Sequence, residues 1–377
     1  MEQVDALLRA SVEARLEADV PLGCFLSGGV DSSLIAHYAQ ARLGGGLRTF
    51  TVRMPMGSYD ESEYAREVAT HLKTEHHVLD VRPSPAEDVC RLVEQLGQPF
   101  GDSSILPTYW VSAAAGAHVK AALAGDGGDE LFVGYERLVA AEWLARHRNK
   151  MKFAPVRGRA LARFGPKSKL NKAGRLLDAA RSRQGYLDLA HVFSERVWHG
   201  VAPDSTIADG DAPSGIEEAL SYEFGHSLPG DLLRKVDTAS MAVPLEVRSP
   251  FLDRAVMEAG LGATVDSLMM GESGRRRERK GLLRAVAARH LPRRVVERRK
   301  MGFAIPIGQW FRTNEGSMRE LLLDALKPSG TELVDHGFSR RGVRELLNAH
   351  MHGHGSYEHC LFTLLTTVLW LRWLKRI

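Results

Sequence analysis

Four short stretches of this chain carry residue types that could do chemistry. The first is Ser27-Gly28-Gly29-Val30-Asp31-Ser32-Ser33. Gly28 and Gly29 let the backbone turn tightly and leave no side chain in the path of a ligand. The free N–H groups of a helix starting after them would point into that gap, which suits an anion by geometry and by dipole. Ser27, Ser32 and Ser33 add hydroxyl donors. Asp31 is the misfit, because a carboxylate repels phosphate unless a cation lies between them. No Gly-Lys-Ser/Thr ending follows, so this is not the GxxxxGK[ST] phosphate loop.

The second stretch, Gly125-Asp126-Gly127-Gly128-Asp129-Glu130, places three carboxylates in six residues. Taken alone it reads as a solvated acidic turn. The third runs from Leu228-Pro229-Gly230-Asp231-Leu232-Leu233-Arg234-Lys235-Val236-Asp237 to Glu246-Val247-Arg248-Ser249-Pro250-Phe251-Leu252-Asp253. Leu232, Leu233 and Val236 share a helical face and a charged turn follows, a pattern that helix caps and ion pairs would also explain. The fourth is Arg298-Arg299-Lys300-Met301-Gly302-Phe303-Ala304-Ile305-Pro306. A basic cluster is usually a solvated face, and Arg275-Arg276-Arg277 reads as one. Lys300 differs, because Gly302, Phe303 and Pro306 mark an ordered loop behind it.

The elements that must position these residues alternate along the first part of the chain. Val4, Leu7, Leu8, Val12 and Leu16 fall on one face of an opening amphipathic helix. Pro21 to Leu26 reads as a short buried strand, and Leu34, Ile35, Tyr38 and Ala39 as the helix after the glycine turn. Strands are expected at 47–53, 75–81 and 119–124, with helices at 60–72, 85–96 and 109–117 and a Pro/Gly/Ser-rich link at 97–107. Such alternation implies a parallel sheet with helices on both faces. Both glycine-bearing loops then sit at C-terminal ends of strands, where ligands bind in these sheets. Beyond about residue 145 strand-like alternation largely disappears. The expected organisation is an α/β nucleotide lobe at 1–145 and a mostly helical lobe at 146–377.

At Ser27–Ser33 the sequence resembles the SGGxDS pyrophosphate loop of ATP pyrophosphatases, which cleave ATP between the α and β phosphates. Leu123–Tyr135 resembles the second signature of asparagine synthetases, and the run ending in Glu246-Val247-Arg248-Ser249-Pro250-Phe251-Leu252-Asp253 is similar to their Glu-x-Arg-x-Pro-Phe-Leu-Asp segment. Lys300 falls on a stretch that looks like the family's Lys-x-Gly-Phe loop. These patches follow the family's order from about Val4 to beyond Phe311.

The resemblance implies a doubly wound parallel sheet of the adenine-nucleotide α-hydrolase type, with ATP as substrate and Mg²⁺ as its metal. ATP would meet Phe25, Ser27, Gly28, Gly29, Asp31, Ser32, Val52 and Gly125, the base being held by backbone groups at Phe25 and Val52. Asp31 and Asp129 would hold the metal, with substrate phosphates supplying further oxygens. Lys300 would reach the phosphates, Glu246 would face the acyl substrate or the attacking amine, Asp126 would join them among the catalytic residues, and Asp237 would at most support them. The implied reaction adenylates a carboxylate, aspartate for preference, releases pyrophosphate, and lets ammonia or another amine displace AMP to form an amide.

The chain reaches the pyrophosphate loop within thirty residues, so the expected nitrogen source is free ammonia, another amine, or a separate glutaminase subunit or domain. β-Lactam synthetases and lasso peptide cyclases share the scaffold and form a second reading. The former carry Tyr where Asp126 sits, which weighs against a β-lactam product. A third reading is a tRNA-modifying ATP pyrophosphatase, against which the second and third stretches argue.

Composition sets the outer bounds. With 377 residues the chain can bury a substantial core, and 44% apolar with 25% charged residues is the balance of a globular protein. A net charge of +4 is too small to mark a nucleic-acid binder. Cys24, Cys90 and Cys360 form no CxxC pair, which fits a reduced cytoplasm. The N-terminus is acidic from its second residue, so no signal peptide is expected. The stretch Cys360–Leu374 is interrupted by threonines and Arg372 and is shorter than the ~18 residues of a membrane span, so it reads as a buried core helix. The expected partners are small molecules, and a homodimer is compatible with these features.

Overall fold

The computed structural model describes residues 1–53, 60–81, 83–151, 158, 161, 168–205, 212–270, 277–298 and 305–377. In chain order the first elements are α1 (Glu2–Ala14), β1 (Leu22–Phe25), α2 (Val30–Leu43), β2 (Arg48–Arg53), α3 (Ser62–Leu72) and β3 (Glu75–Asp80). They are followed by α4 (Pro85–Leu96), α5 (Ile105–Gly116), β4 (Ala121–Leu123) and α6 (Gly128–Leu131). The fifth strand, β5, is Glu246–Arg248. The strands form one sheet in the order β3-β2-β1-β4-β5, every neighbouring pair parallel. This is the expected α/β architecture.

The chain divides into two compact units, neither continuous in sequence. The first comprises Met1–Arg82, Ser104–Glu136 and Leu220–Ala304 and holds the whole sheet. A cut at residue 145 therefore separates the first four strands from the fifth. Strand order reverses between β1 and β4, so the loops leaving these two strands diverge around a crevice at the sheet's C-terminal edge. Ala121, Ala122 and Leu123 of β4 are fully buried, as a central parallel strand covered on both faces requires. On α1, Val4, Leu8 and Val12 turn inward, and the Ser11 hydroxyl donates to the Pro250 carbonyl at 2.7 Å.

Three expectations are corrected here. Helix α5 begins at Ile105, not Tyr109, and so absorbs Pro107 into its first turn, where the missing N–H costs no helical hydrogen bond. Residues 246–248, expected as a charged turn, form a strand whose register with β4 runs from Ala121–Glu246 to Leu123–Arg248. The charged ends are tolerated because β5 lies at the sheet edge, where water solvates them. The Leu228–Asp237 stretch is not one α-helix: a π-helix, Glu223–Leu232, passes into an α-helix at Leu233–Met241. Pro229 inside the π-helix has no N–H to give, consistent with the altered hydrogen bonding there.

The second unit comprises Pro83–Ser103, Arg137–Ala219 and Ile305–Ile377. Its C-terminal helix, Glu358–Leu374, buries Leu361, Phe362, Leu364, Leu365 and Val368 and packs against α4. The Thr366 hydroxyl donates to the Phe100 carbonyl at 2.9 Å, so a threonine inside this apolar run is satisfied. Each such leucine or phenylalanine contributes about 1.5–3 kcal/mol by burial. No helix among the described residues is long and apolar enough to cross a membrane.

Candidate active site

Strand β1 delivers the glycine turn to the sheet's C-terminal edge. The Leu26 N–H still donates to the Phe50 carbonyl at 2.9 Å, after which the chain leaves the ladder. Gly28 takes a φ of +71°, and a Cβ there would stand 2.6 Å from the Tyr64 carbonyl carbon, so glycine is required twice over. The turn is braced internally: Ser27 N–H donates to Ser32 Oγ at 3.3 Å, and Gly29 N–H to Ser27 Oγ at 3.3 Å. Gly29 caps α2 in an extended conformation, with Asp31 in the helix's first turn.

Strand β4 delivers the second loop beside it. A Cβ on Gly125 would lie 3.0 Å from Asp31 Cβ, which measures how closely the two loops meet. Asp129 stands in the first turn of α6. Between the two aspartates lies Lys280, with Nζ 2.5 Å from Asp31 Oδ2 and 2.7 Å from Asp129 Oδ1. Its side chain is only 8% exposed. Burial opposes the charge on Lys280, but the Asp31 and Asp129 carboxylates outweigh it and raise its pKa. Gly134 makes room for this arrangement, because a Cβ there would come within 1.7 Å of Asp129 Oδ1 and 2.5 Å of Lys280 Cε.

Two carboxylates converging on one buried cationic nitrogen are a donor set that fits a small divalent cation. Among the described residues no group of three or more His, Cys, Asp or Glu side chains is arranged for a metal. Two carboxylates with further oxygens from substrate phosphates is the pattern Mg²⁺ favours over an all-protein cage.

Asp126 is half-buried beside this cluster. Burial pushes its pKa up to about 6, with the Lys235 ammonium opposing and the Asp31 and Asp129 charges adding to the rise. Glu130 is buried and receives the Tyr135 hydroxyl, and burial raises its pKa as well. Phe25 ends β1 and Val52 lies near the end of β2, both toward the C-terminal edge of the sheet. The structure does not bring Glu246 to the cluster. It stands at the N-terminal end of β5, the far end of the strand, and is exposed. There it accepts from Arg248 Nε at 2.8 Å, a bond that holds its carboxyl below the ordinary range. Lys300 lies outside the described residues.

Two residues of this site escaped the sequence reading. Lys280 follows the run Arg275–Arg277 taken for a solvated face, and only its place just before an apolar helix, Gly281–Ala287, hinted at burial. Arg298 sat in a basic cluster whose interest was all at Lys300. Its side chain is 9% exposed and bonded to the first loop.

A match to the asparagine synthase family spans residues 3–372. The chain belongs to the asparagine synthase family. It is 28% identical to "Asparagine synthetase [glutamine-hydrolyzing] 1" of Bacillus subtilis over 396 residues, covering 98% of this chain and 59% of that protein. A Mycobacterium tuberculosis protein that also carries an asparagine synthetase (glutamine-hydrolyzing) name is 31% identical over 387 residues, covering 98% of this chain and 57% of its own length. "Asparagine synthetase B [glutamine-hydrolyzing]" of Escherichia coli is 36% identical over 145 residues, covering 34% of this chain and 26% of that protein. The chain thus spans somewhat over half the length of the first two relatives.

Proposed function

We propose that this chain is the synthetase part of an ATP-dependent, amide-forming ligase of the asparagine synthase type. The observation that carries the reading is the pair Asp31 and Asp129, in the first turns of the helices that follow β1 and β4, meeting at the strand reversal with Lys280 between them. ATP would lie across the Ser27–Ser32 turn, with the first N–H groups of α2 and the Ser27 and Ser32 hydroxyls toward its phosphates. Asp31 and Asp129 would hold a Mg²⁺ ion, which when bound supplies charge neutralisation for the polyphosphate.

An acid carboxylate attacks the α-phosphate, the α–β bridging bond breaks, and pyrophosphate leaves. Lys280, and Lys300 by family correspondence, supply positive charge where negative charge accumulates on the leaving group. An amine nitrogen then attacks the acyl carbon of the mixed anhydride, and AMP departs with the C–O bond electrons. Position and electrostatics are the protein's main contribution, because adenylation has already activated the acyl carbon. Aspartate is the proposed acid and ammonia the proposed nitrogen. Glutamine-derived ammonia would come from a glutaminase domain or subunit.

The experiment is AMP and pyrophosphate formation with Mg-ATP, aspartate and ammonium, with glutamine replacing ammonium in a parallel arm. Turnover with ammonium supports the asparagine-forming reading. Binding of Mg-ATP with no turnover on aspartate would replace aspartate by another acid and move the chain to a specialised amide ligase.

A further inference from the structure

Arg298 ties the first loop to Glu61 and Tyr64 beside it. Its Nη1 donates to the Ser27 carbonyl at 3.1 Å, and its Nη2 to Glu61 Oε1 at 2.7 Å. The guanidinium lies over the Tyr64 ring, 3.8 Å from the centroid. Tyr64 is the residue whose backbone closes against Gly28. The Arg298 carbonyl in turn accepts from Arg284 Nη2 at 3.1 Å, and Arg284 lies on the Gly281–Ala287 helix that directly follows Lys280. Lys280 thus holds Asp31 while Arg298 holds Ser27, and Arg284 links Arg298 to the helix that follows Lys280.

The grip on Ser27 has a directional consequence. In a planar trans peptide the carbonyl of one residue and the N–H of the next point in opposite directions. No described peptide bond is cis. Turning the Ser27 carbonyl to Arg298 therefore aims the Gly28 N–H away from the arginine. A neutral hydroxyl donor could not fix that plane as firmly as a charged fork with a second anchor at Glu61.

We propose that Arg298 is a positioning residue for the polyphosphate: by holding the Ser27–Gly28 peptide plane it presents the Gly28 N–H to the phosphates of ATP. The inference rests on the ATP reading above. It assigns Arg298 no contact with the nucleotide.

The test measures binding of α,β-methylene-ATP and of AMP, each with Mg²⁺, to the wild type and to Arg298→Lys and Arg298→Met by calorimetry. Thermal midpoints are taken alongside. Removing a charge-assisted hydrogen bond should weaken α,β-methylene-ATP binding about tenfold or more. AMP binding should change much less, because the loss falls on the β and γ phosphates. Lysine should restore the midpoint more than the triphosphate affinity, since an ammonium cannot serve Ser27 and Glu61 in one plane. Equal affinity for α,β-methylene-ATP in a folded variant would overturn the proposal, as would an equal loss for both ligands. Should the methionine variant fail to fold, the lysine variant decides alone. Failure of the wild type to bind α,β-methylene-ATP would instead overturn the ATP reading itself.

Discussion

Lys280 Nζ lies 2.7 Å from Asp129 Oδ1, so the two charges offset each other directly. Asp31 completes the arrangement from the opposite side at 2.5 Å. A lysine at this point holds two like charges together in a part-buried crevice, where their mutual repulsion would otherwise be weakly screened.

Replacing Lys280 by methionine keeps most of the side chain's volume and removes its charge. The protein without metal should lose about 3 kcal/mol, since two part-buried carboxylates then lose the ammonium that they share. Added Mg²⁺ should recover part of that loss, because its charge can offset the two carboxylates that Lys280 no longer neutralises. Thermal unfolding with and without millimolar Mg²⁺ checks both statements. An unchanged midpoint that ignores Mg²⁺ would refute the assignment of this cation site.

Asp31→Asn and Lys300→Ala should each abolish pyrophosphate release while leaving the far-ultraviolet circular dichroism unchanged. The first removes a charge from the cation site, and the second rests on the family correspondence of the Lys300 loop. Retained turnover in either variant would mean that the residue lies outside the chemistry.

Gly134→Ala introduces one methyl group where Asp129 Oδ1 and Lys280 Cε already sit within 1.7 and 2.5 Å of the new carbon. Overpacking of this kind costs about 1–3 kcal/mol. Here it should also displace Asp129, so activity should fall by more than the lost stability explains. Urea denaturation together with initial rates per folded molecule separates the two effects.

The acid limb of the stability curve should report on His37. Burial, with the neighbouring His290 adding to it, holds its pKa down to about 4, against about 6.5 in an unfolded chain. The ring stacks on that of His290, centroids 4.4 Å apart. A depressed base favours the neutral form in the fold, so the unfolded chain binds more protons between these two values. The contribution is complete above about pH 6.5 and is lost as pH falls toward 4. His37→Asn should flatten that part of the curve, as followed by midpoints measured from pH 7 to 4. A slope equal to the wild type's would show that Asp5 or another group governs this range.

The legible parts of this molecule are those whose signal is local. The glycine turn, the apolar strands and the amphipathic helices each announce themselves within a few residues, and α4 lies where its periodicity places it, at Pro85–Leu96. Lys280 was illegible because burial of a lysine is a property of what surrounds it, and Asp31 and Asp129 arrive from other strands. Arg298 was hidden for the same reason: its partners Ser27 and Glu61 lie far away in sequence. Glu246 shows the converse. The family motif draws attention to it, yet the register of β5 sets it at the N-terminal end of the strand.

The sheet's fifth strand also orders events in time. On a ribosome, the segments that make β1 to β4 emerge long before residues 246–248, and until then β4 is an open edge with half its hydrogen-bonding groups unsatisfied by the sheet. The pairing that closes it joins residues 121–123 to residues 246–248, with Arg137–Ala219 of the second unit lying between them in sequence, and so carries a high loop-closure cost. Lys280 emerges later still. During synthesis Asp31 and Asp129 must therefore wait for their internal cation, and the crevice where ATP is proposed to bind is completed only after the fifth strand has emerged.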